Sequence, residues 1–104
     1  MFADAFGRQA RRVIQVDGRD VGVVVVEERP DELFLGLLEL LPAWQNKGVG
    51  TDILRGLLRQ ASDMGKPLSL QVLRVNPRAA SLYEREGLRV VGSDEIRLRM
   101  RIEP

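Results

Sequence analysis

The sequence predicts one α/β domain over residues 1–104, with a mixed sheet of the α+β kind. An antiparallel three-strand meander is followed by a helical crossover to a parallel strand, a second helix and a C-terminal β-hairpin. Three observations predict this fold: β-branched runs with short connections in the first third, two amphipathic helical segments, and strict alternation of apolar residues near the end. A chain of 104 residues is long enough to bury one core.

The meander is predicted from three apolar runs. Residues 12–16 are rich in β-branched side chains, and Asp17-Gly18 is a favoured hairpin turn. Residues 21–26 are apolar at both alternating positions, which predicts a strand buried on both faces. The third strand is predicted over residues 33–41, and short connections make the three antiparallel. Before them, Phe2 and Phe6 are expected to pack onto the sheet.

Two helices are predicted in the middle of the chain. The first covers about residues 49–64, and its apolar stripe consists of Ile53, Leu54, Leu57, Leu58 and Ala61. The strand that follows alternates cleanly over residues 68–72 and shifts phase at residues 73–75; it should lie parallel to the third strand, because a helix connects them. Asn76-Pro77 then supplies an N-cap and a first-turn proline for the second helix, which ends at Gly87.

The closing hairpin is predicted over residues 88–92 and 95–102, with a turn at Ser93-Asp94. In its second strand the residues expected to point inward are Ile96, Leu98, Met100 and Ile102. The residues expected to point outward are Arg97, Arg99 and Arg101. We interpret this arginine row as a solvated face that discourages edge-to-edge pairing, and the alternative is a patch for an anion or acidic partner.

Composition excludes several classes of function. The absence of cysteine and histidine rules out thiol nucleophiles, Ser-His-Asp hydrolysis, and metal sites built from thiolate or imidazole, so no metal is expected. A net charge of +1 argues against a nucleic-acid partner. No apolar run reaches the roughly 18 residues of a membrane span, and Asp4 argues against a signal peptide. We therefore expect a cytoplasmic protein with no membrane partner.

The stretch from Gln45 to Thr51 places two glycines and a lysine at the start of the first helix. Backbone N–H groups there lack intrahelical partners, and the helix dipole adds positive charge. Such a turn suits a phosphate or pyrophosphate, although a plain helix start is the alternative. On the later helix, Asn76 and Tyr83 lie seven residues apart and so share one face.

With these two motifs the chain resembles the GNAT superfamily of acyl-CoA-dependent N-acyltransferases. Gln45-x-x-Gly48-x-Gly50 is similar to the family's pyrophosphate-binding motif, and the segment from Asn76 to Leu88 is similar to its second motif. The resemblance covers about residues 12–102 and implies a GNAT-like fold with acetyl-CoA as co-substrate. Leu88 stands where the family usually has Phe, which concerns packing and not chemistry.

The resemblance also implies roles for individual residues. The implied cofactor-binding residues are Leu40, Leu41, Gln45, Asn46, Lys47, Gly48, Val49, Gly50, Thr51, Asn76, Ala79 and Tyr83. Backbone amides between Lys47 and Thr51 would hold the pyrophosphate, and the backbone of Leu40 and Leu41 would pair with the pantetheine arm beside a bulge and splay of the central strand. The Leu40 N–H would stabilise the oxyanion, and the Tyr83 hydroxyl would protonate the departing sulfur.

Glu39 is the predicted general base. It is an acid in an apolar strand just before the implied cofactor contacts, and burial would raise its pKa. The alternatives are an outward-facing strand residue or a clamp for the substrate amine, with Asp31 and Glu32 as fallback bases. An amine of pKa about 10.4 costs roughly 4–5 kcal/mol to deprotonate at pH 7, whereas an α-amine near 8 costs only about 1 kcal/mol.

The predicted function is transfer of an acetyl group from acetyl-CoA to a primary amine of a small molecule or peptide. The lack of cysteine favours direct attack in a ternary complex. A non-catalytic acyl-CoA-binding module is the alternative.

Only about eleven residues precede the first β-run, where family members usually carry a strand and two helices that wall the acceptor pocket. The acceptor site is therefore either open or completed by a second subunit, and an exposed apolar sheet would favour a homodimer.

Overall fold

The computed structural model describes residues 8–104, apart from the side chain of Arg8, so Phe2 and Phe6 lie outside the described residues. The strands are β1 (Arg8–Val16), β2 (Arg19–Glu28), β3 (Leu33–Leu40), β4 (Leu68–Leu73), β5 (Arg89–Ser93) and β6 (Arg97–Ile102). The helices are α1 (Val49–Asp63) and α2 (Pro77–Arg85), with a 3-10 turn at Pro42–Trp44. None of these helices combines the length and apolarity needed to cross a membrane.

The strands form one mixed sheet in the order β1-β2-β3-β4-β6-β5. β1, β2 and β3 make the predicted antiparallel meander, and α1 carries the chain across to β4, which pairs parallel to β3. β6 lies antiparallel between β4 and β5. The predicted fold class is therefore confirmed, including the parallel strand after the crossover and the C-terminal hairpin.

One face of the sheet packs against both helices. In β4 the buried side chains alternate with outward ones, and the buried set is Leu68, Leu70 and Val72. Leu54 and Ala61 of α1 and Tyr83 of α2 belong to the same core. Arg55 of α1 forms an ion pair with Glu86, the residue after α2, with Nε and Oε1 2.8 Å apart. Both helices therefore lie on this face.

The opposite face, called the open face here, carries no helix within residues 8–104. Its larger apolar side chains are half-buried or exposed and comprise Val13, Val23, Val25, Phe34, Leu37 and Leu73. The prediction that residues 21–26 are buried on both faces is therefore wrong: Val21 and Val24 are buried, whereas Val23 and Val25 are only half-buried because they point to the open face.

Ile96 is a second correction. The alternating pattern places it inward, but it is 58% exposed, because β6 begins only at Arg97 and Ile96 lies in the turn before it. From Leu98 onward the alternation holds, with Met100 fully buried and Arg97 and Arg99 exposed. The turn is closed by Asp94, whose Oδ1 accepts hydrogen bonds from the backbone of Ile96 and Arg97.

The two faces of β4 give a stability prediction. Leu70→Ala should lower the free energy of unfolding by about 2–5 kcal/mol, because it leaves a cavity beneath α1 and α2, where Leu70 is 2% exposed. Leu73→Ala, in the same strand but 45% exposed on the open face, should lower it much less. Urea unfolding of both variants measures the difference, and equal losses would contradict this assignment of the faces.

Candidate functional site

The candidate site begins where β3 and β4 separate. Residues 33–35 of β3 pair with residues 68–70 of β4, and the pairing stops there although both strands continue. Between β2 and β3 the register shifts, since Val25 pairs with Leu37 and Val26 with Leu35, which leaves Gly36 as a bulge. Bulges bend a strand and increase its twist. The expected bulge and splay are thus present, and we call the opening between residues 36–40 and 71–73 the β3–β4 gap.

The peptide that joins Glu39 to Leu40 directs its N–H into this gap. The Glu39 carbonyl points to β2 and lies so close to Gly22 that a Cβ atom there would collide with it. In a trans peptide the N–H points opposite to the C=O, so the Leu40 N–H faces away from β2. β4 does not reach it, because the strands are no longer paired at this level.

Leu41 differs from its predicted role. Its N–H donates to the Val21 carbonyl at 2.8 Å, and its own carbonyl accepts from the Trp44 N–H at 2.8 Å. Both backbone groups are therefore used within the protein, and the predicted pairing with an extended ligand reduces to Leu40. Gln45 also acts here, because its Nε2 donates to the Leu40 carbonyl at 3.0 Å and ties the turn to the end of β3.

The turn before α1 presents backbone donors. Asn46 and Gly48 both have positive φ, 63° and 85°, and Gly48 is the N-cap residue without any side-chain cap. The first intrahelical donor is Asp52, which bonds to the Gly48 carbonyl at 3.0 Å. The N–H groups of residues 49–51 therefore have no intrahelical acceptor, as expected of a helix N-terminus that binds an anion.

Two neighbours shape this turn. The Lys47 ammonium lies 5.5 Å from the centre of the Trp44 ring, which is within cation–π range and holds the positive charge beside the turn. Gly50 faces both β3 and α2, since a Cβ there would lie 3.7 Å from Leu40 Cδ1 and 3.9 Å from Leu82 Cδ2. The start of α1, the end of β3 and α2 therefore meet at Gly50.

α2 contributes the second motif. Asn76 caps it, because its Oδ1 accepts from the Ala79 N–H at 3.2 Å, and Ala79 packs half-buried against the core. Tyr83, two turns later, is 8% exposed, and this burial raises the pKa of its hydroxyl. Among residues 8–104 the hydroxyl has no hydrogen-bond partner, and no fully buried side-chain oxygen is left unpaired. The hydroxyl therefore reaches solvent at the edge of the core.

The acidic candidates behave differently from one another. The expected burial of Glu39 is wrong, because its side chain lies opposite Val23 on the open face and is exposed. Asp31 is exposed as well. Glu32 is half-buried and accepts hydrogen bonds from Arg29 at 2.6 Å and from Ser69 Oγ at 2.8 Å, so it has a structural role. Within the described residues no group of three acidic side chains could hold a metal ion.

Sequence reasoning missed two contributors to the site, Gly22 and Trp44. A glycine inside a strand is a signal for close approach of another backbone, and Gly22 stands among valines where that signal was available. Trp44 offered no such signal, because its contact with Lys47 depends on the fold of the turn. The ion pair between Arg55 and Glu86 was equally invisible, since 31 residues separate them.

Solved structures share this fold. The PaiA N-acetyltransferase from Thermoplasma acidophilum in complex with coenzyme A superposes with a TM-score of 0.83 at 21% identity, over 92% of this chain and 61% of that one. The ribosomal-protein-S18-alanine N-acetyltransferase from Escherichia coli gives 0.82 at 21% identity, over 92% and 69%. A GNAT family acetyltransferase from Elizabethkingia anophelis with acetyl-CoA bound gives 0.80 at 13% identity, over 92% and 76%. The chain thus spans less than two thirds of the Thermoplasma enzyme.

No curated protein sequence matches the chain significantly. The model of the acetyltransferase (GNAT) family matches residues 3–88, which include the β3–β4 gap, the turn before α1 and all of α2. The chain belongs to the GNAT acetyltransferase family.

Proposed function

We propose that the protein transfers an acetyl group from acetyl-CoA to a primary amine of a small molecule or peptide. The observation that carries the proposal is the convergence at one opening of the sheet of a free backbone donor, a helix N-terminus and α2, the helix that carries Tyr83. Leu40, Gly50 and Leu82 lie side by side, so the end of β3 and the two helices border the same gap. Tyr83 follows Leu82 directly on α2.

The residues at the gap suit a molecule with a pyrophosphate and an extended amide-containing arm. The N–H groups of residues 49–51 would hold the pyrophosphate, with Lys47 adding positive charge. The arm would lie between β3 and α2, where Gly50 has no side chain and the Leu40 N–H is a donor for an added strand. The side-chain nitrogen of Asn76 is a further donor, because only its oxygen is used in capping α2.

Acetyl-CoA, when bound, supplies a thioester carbonyl carbon to an attacking amine. The Leu40 N–H would then stabilise negative charge on the carbonyl oxygen. Tyr83 holds a proton at Oη, and a phenol whose pKa is raised by burial keeps that proton throughout the neutral range. It can donate the proton to a departing thiolate. Transfer is direct, since the chain has no cysteine to carry an acyl group.

The acceptor would approach from the open face, where Glu39 projects into solvent. An exposed carboxylate there can attract an ammonium and receive its proton directly or through water. The Escherichia coli neighbour acts on an alanine of a ribosomal protein, which supports a peptide amine as one acceptor class. Assembly as a homodimer and a cytoplasmic location stay predictions, and the apolar side chains of the open face support the first of them.

The cofactor site is tested by a pair of glycine substitutions in α1. Gly50→Glu should weaken acetyl-CoA binding at least tenfold, or about 1.4 kcal/mol, because it places a carboxylate between Leu40 and Leu82 beside the phosphate donors. Gly56→Glu should leave affinity unchanged, since a Cβ at Gly56 meets only the end of Arg59. Calorimetric titration measures both.

Gly50→Ala makes only ordinary contacts and serves as the control for folding. Equal affinity of Gly50→Glu and the wild type would place the pyrophosphate elsewhere. Tight binding of acetyl-CoA without thiol release across an amine panel would instead identify a non-catalytic binding module.

The role of Tyr83 is tested by Tyr83→Phe. The substitution keeps the buried ring and removes the proton, so kcat should fall by about 10²-fold while the Kd for acetyl-CoA changes little. In the wild type, kcat should show no falling limb up to about pH 10, because burial raises the tyrosine pKa above its ordinary value and the acid stays protonated. An unchanged kcat in Tyr83→Phe would exclude it as the acid.

The donor role of Leu40 is tested through its neighbour Gly22. Gly22→Ala forces the added methyl against the Glu39 carbonyl and the Leu40 side chain, so the peptide between them must move. We expect kcat per folded molecule to fall more than tenfold, with acetyl-CoA affinity nearly unchanged because the turn before α1 stays in place. Gly36→Ala is the matched control, since its methyl makes only ordinary contacts of 3.6–3.8 Å. Equal kcat values for the two variants would contradict the role.

A further inference from the structure

The open face carries an asymmetric distribution of charge around the β3–β4 gap. Glu39 lies on the β3 side. Beyond β4, on β6, Arg97 pairs with Leu73 and Arg99 pairs with Gln71 in the antiparallel register. Both arginines are exposed and point to the open face, because Leu98 and Met100 between and after them point to the core.

Several charged side chains on this face are already paired. Arg29 binds Glu27 at 2.9 Å and Glu32 at 2.6 Å, and Arg101 binds Glu103 at 2.7 Å. In contrast, neither guanidinium, of Arg97 or of Arg99, forms an ion pair among residues 8–104, although Asp94, which accepts the Arg97 backbone N–H, lies close enough to interact with the Arg97 charge. The Arg99 guanidinium lies over Gly92 of β5, where no side chain competes for the space. Two positive charges without a hydrogen-bonded carboxylate therefore stand on the far side of the gap from Glu39.

A groove of about 210 Å³ runs along the open face beside Arg99 and extends to Gln71, and Arg97 does not line it. Ser69 and Gln71 of β4 form its floor, Phe34 lies on the β3 side, and Val91 and Arg99 lie on the other. Gln71 is the first β4 residue beyond the segment paired with β3, so the groove opens into the gap. The groove thus reaches the edge of the gap at Gln71.

We propose that the acceptor is a peptide with a free N-terminal amine and a carboxylate two residues further on, so that Glu39 faces the amine while Arg97 and Arg99 bind the carboxylate. This inference rests on the proposed acetyltransfer. Two strand spacings separate β3 from β6, roughly 10 Å, and the gap widens this distance. An extended peptide spans about 3.3 Å per residue, so an acidic side chain at its third position reaches β6, the strand that carries both arginines. A charge-assisted pair with arginine favours carboxylate over amide at that position.

The test compares two tripeptide amides, alanyl-alanyl-glutamate and alanyl-alanyl-glutamine, which differ only in a carboxylate. Their rates are measured as thiol release from acetyl-CoA. We expect kcat/KM to be about three- to tenfold higher for the glutamate peptide at low salt, with the ratio falling toward one in about 1 M NaCl. Equal values at low salt would overturn the inference and leave the proposed function standing.

Substitution then assigns the preference to the two arginines. The double variant Arg97→Gln/Arg99→Gln should lose the preference for glutamate, keep its rate with the glutamine peptide, and bind acetyl-CoA as the wild type does. The control Arg19→Gln/Arg59→Gln removes the same charge from exposed positions on β2 and α1 and should keep the preference. Retention of the preference in the first variant, or its loss in both, would overturn the inference.

Failure of the proposed function has a different signature. Neither peptide, and no amine of a broader panel, would then be acetylated by the wild-type protein even though acetyl-CoA binds. That result would overturn the function and the acceptor class together. If the protein instead acetylates the two peptides and uncharged amines at equal rates, only the inferred acceptor class is overturned and the proposed function stands.

Discussion

The site depends on the early separation of β3 from β4. Only three residues of each strand are paired, so the backbone of β3 after Gly36 has an unpaired edge in the middle of a six-stranded sheet. Unpaired N–H and C=O groups are costly unless water or a ligand satisfies them. The bulge at Gly36 produces this edge without breaking β3, which stays paired to β2 along its whole length. On the side of the opening formed by β3, the strand is held by its pairing with β2, and its other edge has no backbone partner there among residues 8–104.

Two glycine residues, which have no side chain, allow the backbone segments around this opening to approach one another. At Gly22, β2 approaches the Glu39 carbonyl more closely than any side chain would permit, and this contact directs the Leu40 N–H into the gap. At Gly50, the start of α1 approaches both β3 and α2. The ion pair between Arg55 and Glu86 joins the two helices further along, with two hydrogen bonds of 2.8 and 3.2 Å. These contacts therefore fix the positions of β3, α1 and α2 relative to one another, and with them the Leu40 N–H, the helix N-terminus and Tyr83.

The two faces of the sheet have different compositions and support different parts of the proposed reaction. The core under the helices is apolar, and no charged or polar residue is buried in the described part of the chain. Burial there raises the pKa of Tyr83 and keeps its proton in place. The open face mixes apolar side chains with paired and unpaired charges, as expected of a surface that meets a polar acceptor. Acyl donor and acceptor would accordingly enter from opposite faces and meet at the gap.

The order of elements was predictable from sequence because each depends on local patterns: alternation for β4 and β6, a helical stripe for α1, and an Asn-Pro cap for α2. Two motifs, from Gln45 to Gly50 and from Asn76 to Leu88, sufficed to identify the family. Only the tertiary structure decided which backbone groups are free, since Leu41 bonds to Val21 twenty residues away while Leu40 does not. It also decided that Glu39 is exposed, that Ile96 lies in a turn, and that Gly22 touches the site. These facts depend on which strands pair and where the pairing stops. Contacts between residues that are distant in the chain decide both.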